Sequence, residues 1–138
     1  VASVGNAFDG DLTGDDPIAA YVEAGARAEA SINDEVLVAH HDVSIGDISG
    51  YDYVCQLFMD QLVHGWDIMR GSGPNVALDD ELAAEAIPVA QEMVAYVGQG
   101  SVFGNTLDLA SDAPKLGTLL GTVGRSLAWE PPAGGIAK

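Results

Sequence analysis

The sequence predicts an all-α fold, an antiparallel helical bundle interrupted by one extended connection. Apolar residues recur at helical spacing in successive segments, and Asp, Pro and Gly stand where helices would begin and end. No internal repeat, heptad run or low-complexity linker competes with that reading.

Asp15-Asp16-Pro17 marks the first helix start, because an Asp side chain caps free amides and Pro at the first helical position sacrifices no hydrogen bond. This helix should run to about Ile32. Ile18, Tyr21, Val22, Ala28 and Ile32 fall on one face, with Gly25 as a gap, and Glu23 pairs with Arg27 four residues on. From Asp34 to Ile48 the helical period is lost, and Val36, Val38, His40, Asp42 and Gly46 read as an extended, turn-punctuated connection.

A long helix is expected from about Tyr51 to Arg70, stopped by Gly71-Ser72-Gly73-Pro74. The next opens at Asp79-Asp80-Glu81, where acidic groups suit the positive end of the helix dipole, and carries Leu82, Ala86, Ala90, Met93, Val94 and Val97 to Gly98. Pro88 should bend it. After a loop through Phe103, Gly104 and Leu109, Ser111-Asp112-Ala113-Pro114 signals a short last helix with Leu116, Leu119, Leu120 and Val123 on its apolar face. Gly124-Arg125 through Trp129 and Pro131-Pro132 close the ordered part. Residues 1–132 form one expected domain and 133–138 a tail.

With 138 residues, 48% apolar and 19% charged, the chain can bury one core, and disorder is disfavoured. Its 21 acidic and 5 basic residues give a net charge of −16, which repels nucleic-acid phosphates and anionic membrane surfaces. No run approaches the roughly 18 apolar residues of a membrane span. Neither nucleic acid nor membrane is expected as a partner. A single cysteine, Cys55, cannot form an internal disulfide, which favours a reducing, cytoplasmic setting. The chain starts at Val1 and reads like a helix already under way, so an N-terminally incomplete copy is expected.

Asp60 and His64 stand four residues apart in the long helix, so their side chains rise from one face about a turn apart and can chelate one metal ion. Asp67, three residues further, could orient the imidazole as outer carboxylates do. Two ligands do not complete a shell, so a third must come from elsewhere. Without a metal, the same three side chains would form a polar network in a non-catalytic binding or assembly module. His40 and His41 point to opposite faces of an extended segment and read as exposed polar residues, with His40 the better substitute ligand. Cys55 turns away from the Asp60/His64 face and reads as a small apolar residue. Trp66 and Trp129 read as packing residues. The glycines lack a phosphate-loop setting.

The segment Asp60-Gln61-Leu62-Val63-His64-Gly65-Trp66-Asp67-Ile68-Met69-Arg70-Gly71-Ser72-Gly73 resembles the hallmark of the mycothiol-dependent maleylpyruvate isomerase N-terminal-like family. Further similar stretches lie in the same order along the chain: Val4-Gly5-Asn6-Ala7-Phe8, Leu78-Asp79-Asp80-Glu81-Leu82, Phe103-Gly104, Asp112-Ala113-Pro114 with Leu119-Leu120 and Gly124-Arg125, and Trp129. That resemblance implies a DinB-like antiparallel four-helix bundle, here with its first helix missing, holding zinc or nickel. Carried over, the later ligand pair falls on Asp60 and His64. The early ligand, commonly a histidine just before a segment like Val4-Gly5-Asn6, has no counterpart, since no histidine precedes His40. The implied activity is a metal-dependent transferase or isomerase reaction on a small-molecule thiol of the mycothiol type, with Arg70 and Arg125 as the basic groups available to a charged cofactor. An uncovered helix face would favour a homodimer.

Overall fold

The computed structural model describes residues 10–43, 46–73, 78–100 and 102–132. Val4 to Phe8, Pro74 and the 133–138 tail lie outside the described residues. The chain divides into two compact units, Val1–Val54 and Cys55–Lys138, with the boundary inside the longest helix. Helix dominates. Five helices and one two-stranded sheet are formed by the described residues.

In the first unit, α1 (Pro17–Ser31) begins as its sequence requires: Asp16 accepts the amide of Ala19 at 2.9 Å and Pro17 occupies the first helical position. Its apolar stripe does not form a core face. No residue of α1 is buried, and Ile18 and Tyr21 remain about three-quarters exposed at 76% and 74%. Glu23 and Arg27 approach to 3.9 Å on an exposed face, where such a pair contributes little.

The expected extended connection is corrected at its start, where Asp34–Val38 forms a short helix, α2. Asn33 caps it by accepting the Val36 amide at 3.0 Å, and Asp34 and Glu35 sit in its first turn. The extended reading holds beyond it. β1 (His40–Val43) pairs antiparallel with β2 (Gly46–Ser49), with His40 opposite Ser49 and Asp42 opposite Asp47. Ser49 caps the start of α3 (Gly50–Ser72): the Asp52 amide donates to Ser49 Oγ at 3.1 Å, and that hydroxyl donates to the Asp52 carboxylate at 2.6 Å. Gly50 is buried against the Val36 carbonyl, where a Cβ would collide with backbone.

In the second unit, α4 (Asp80–Val97) is capped by Asp79 and ends at Gly98, whose amide donates to the Val94 carbonyl at 3.0 Å. Pro88 lies within it at an exposed position. The buried face is Ala83, Ala86, Ala90 and Val94, so Leu82, expected in the stripe, is 46% exposed and Ala83 takes the inward place. Short side chains let α5 (Lys115–Thr122) pack closely on this alanine face. Met59, Val63 and Trp66 of α3 and Leu116, Leu119, Leu120 and Val123 at α5 complete the core.

Both ends of α5 are fixed by groups the sequence pattern did not single out for that task. The expected cap in Ser111-Asp112 does not act: Pro114 precedes the helix without a side-chain cap, and Asp80 of α4 accepts the amides of Lys115 and Leu116 at 3.3 and 3.0 Å instead. At the other end, the amide of Arg125 donates to Leu120 and that of Gly124 to Gly121, a Schellman closure with Gly124 at φ +80°. The Arg125 side chain leaves the helix from that turn. No described helix is long and apolar enough to cross a membrane.

Candidate metal-binding pair and adjoining cavity

One face of α3 brings together three of the side chains singled out by spacing. His64 Nε2 lies 3.3 Å from Asp60 Oδ1, and His64 Nδ1 lies 3.1 Å from Asp67 Oδ2. The imidazole thus stands between two carboxylates. Both contacts are satisfied together in two ways: a doubly protonated ring donating at each nitrogen, or an Nδ1–H ring that donates to Asp67 while Nε2 and Asp60 share a cation.

The second arrangement meets a simple geometric test. Two ligand atoms about 2.0–2.2 Å from one ion, at angles between octahedral and tetrahedral, stand roughly 2.8–3.6 Å apart. The Asp60–His64 separation of 3.3 Å lies in that range. Both side chains are about half exposed, so an ion could reach them from solvent. Among the described residues no group of three or more His, Cys, Asp and Glu side chains is placed to hold an ion.

Asp67 is in turn held by a residue far away in sequence. Arg125 Nε donates to both Asp67 oxygens at 3.1 and 3.2 Å, and Nη2 donates to Oδ2 at 2.9 Å, a forked contact suited to a carboxylate. Nη1 donates to the Val123 carbonyl at 3.0 Å, anchoring the guanidinium to its own turn. Burial pushes the Asp67 carboxyl upward, but the Arg125 hydrogen bonds and charge, with a smaller contribution from His64, outweigh it and hold Asp67 below the ordinary carboxylate value.

The lowered value ties stability to acidity in one direction. Because the folded value lies below the unfolded one, the stabilisation Asp67 supplies is complete above the ordinary carboxylate range and is lost as pH falls through the lowered folded value. In the metal-free protein, the stability difference between wild type and Asp67→Asn should therefore be constant near neutrality and shrink below about pH 4. Denaturant midpoints measured across acid pH check this; a difference unchanged down to the acid limit would contradict it.

The other side chains singled out by the sequence have separate partners. Arg70 Nε donates to the Trp129 carbonyl at 2.7 Å and its Nη2 lies 3.7 Å from Glu130, so it ties the segment after α5 to α3. His40 Nδ1 lies 3.4 Å from Asp47 across the hairpin, and His41 Nε2 lies 3.4 Å from the Val36 carbonyl. His40 is exposed while His41 is half-buried, as alternation along β1 requires. Cys55 is a free, half-buried thiol.

Sequence spacing revealed Asp60, His64 and Asp67 but not their link to Arg125, nor the cavity beside it. Trp66, Asp67, Gly124, Arg125, Ser126 and Trp129 line a cavity of about 350 Å³. Both tryptophans of the chain belong to it, beyond the packing role expected for them.

No family model matches the chain, and no solved structure matches it. Two curated relatives do, uncharacterised proteins of Mycobacterium tuberculosis from strains CDC 1551 and H37Rv, each 26% identical over 112 residues. The alignment covers 75% of this chain and spans 62% of the length of either relative.

Proposed function

We propose that this protein is a metal-dependent transferase or isomerase of the DinB-like type, acting with a low-molecular-weight thiol of the mycothiol kind and holding zinc or nickel through Asp60 and His64. The observation that carries this reading is the 3.3 Å approach of Asp60 Oδ1 to His64 Nε2 while Nδ1 is committed to Asp67. A bound divalent ion would supply Lewis acidity, lowering a thiol's pKa so that it serves as a nucleophile at neutral pH.

The chain's own residues prepare that role. Asp67 accepts from Nδ1 and so selects the tautomer whose Nε2 lone pair faces Asp60. Arg125 keeps Asp67 charged and oriented. The third ligand must come from outside the described residues. Arg70 and Arg125 already serve Trp129 and Asp67, so either would meet a charged cofactor only with its remaining N–H groups. A cytoplasmic setting and a homodimer belong to the same proposal.

A second reading, a non-catalytic bundle in which Asp60, His64 and Asp67 form a metal-free network, is favoured by the contacts that already join His64 to both carboxylates and Asp67 to Arg125. Calorimetric titration of the metal-free, full-length protein with zinc and nickel separates the two. The metal reading expects saturable binding, weakened at least about 100-fold in His64→Ala and about 10–100-fold in Asp67→Ala. A wild-type protein that takes up neither ion ends the metal reading and leaves the module.

A further inference from the structure

The cavity beside Asp67 has the size of a small-molecule site, at about 350 Å³ against the roughly 300–1,000 Å³ of such pockets. Its walls differ in character. Trp66, 4% exposed, and Trp129, 46% exposed, both line it, so two indoles are available to an apolar occupant.

Of the two charged side chains in this cavity, Arg125 is the one with hydrogen-bonding groups left for an occupant, and the Ser126 hydroxyl can donate or accept. The Asp67 oxygens are already taken by Arg125 and His64. Arg125 has five N–H groups, of which Nε, one on Nη1 and one on Nη2 are bonded to Asp67 and Val123. One N–H on each terminal nitrogen remains for a ligand. Its charge, however, is matched by Asp67 at 2.9 Å, within a chain of net charge −16. An anion would therefore gain little attraction here, while a neutral oxygen acceptor would gain a hydrogen bond.

We infer that this cavity binds a small neutral carbonyl compound, an amide, ester or ketone with a flat apolar body, whose oxygen accepts from Arg125 and whose body lies between Trp66 and Trp129. The inference deepens the proposed function by naming the ligand class of the adjoining site. It rests on that reading only for treating the ligand as a substrate, because binding itself needs no ion.

The chain has two tryptophans and both line the cavity, so each reports on an occupant. In the metal-free, full-length protein, the two indole N–H resonances are followed during titration with benzamide and, separately, benzoate. Benzamide should move both signals saturably at up to about 10 mM, with benzoate at least tenfold weaker. Trp129→Ala, at an exposed position whose backbone carbonyl still serves Arg70, should weaken benzamide about fivefold or more as read on Trp66. Still signals, equal affinity for benzoate, or an unchanged Trp129→Ala would each overturn the inference. Zinc or nickel uptake is measured apart from this titration, so loss of the metal reading and loss of the carbonyl site are distinguishable results.

Discussion

Gly124→Ala is expected to destabilise the protein by about 3 kcal/mol or more and to disconnect Arg125 from Asp67. Gly124 sits at φ +80°, a conformation that costs any L side chain. The added Cβ would also stand 2.5 Å from the Cα and 2.6 Å from the carbonyl carbon of Gly104. Backbone cannot swing aside as the end of a side chain can, so the turn itself must move. Arg125 leaves that turn, and its forked grip on Asp67 depends on where the turn points it. Denaturant midpoints measure the first effect. If the protein holds zinc or nickel as proposed, the second should appear as weakened metal uptake at temperatures where the variant is still folded, because His64 would lose its oriented carboxylate. A Gly124→Ala protein within about 0.5 kcal/mol of wild type would show that the approach to Gly104 does not constrain the turn.

Leu119→Ala should be nearly as severe, at about 3–5 kcal/mol. Leu119 is fully buried, and the face of α4 is built from Ala83, Ala86 and Ala90. Alanines cannot extend into the space left by a missing isobutyl group, so the void should persist instead of collapsing. Leu82→Ala is the natural control, since Leu82 is 46% exposed and should change stability by less than about 1 kcal/mol. Equal losses from the two substitutions would show that the core is not centred on α5.

The contrast between Leu82 and Ala83 shows what the sequence could and could not tell. Helical periodicity located α4 and its ends, because Asp79 and Gly98 act on amides and carbonyls within a turn of themselves. It aimed the apolar face slightly wrong, since hydrophobicity favours Leu inward while close packing against α5 favours Ala. A single-turn helix such as α2 has no period to read; only Asn33 three residues before Val36 signalled it. The closeness of Asp60 and His64 was legible because a helix converts a spacing of four into proximity. Arg125 was not, since it reaches Asp67 across 58 positions through a turn that no local pattern directs. The apolar stripe of α1 was equally legible, but none of its residues is buried.

Asp80 leaves one more imprint on the molecule. Its carboxylate belongs to the opening turn of α4 but closes the opening amides of α5, 35 positions later. A helix of eight residues does not persist in water by itself, so α5 cannot fray and re-form independently of its neighbour. The two should open as one cooperative unit, which native-state hydrogen exchange would register as matched protection. Damage at the mouth of α4 would then be inherited by the arginine at the far end of α5, and through it by the imidazole on α3.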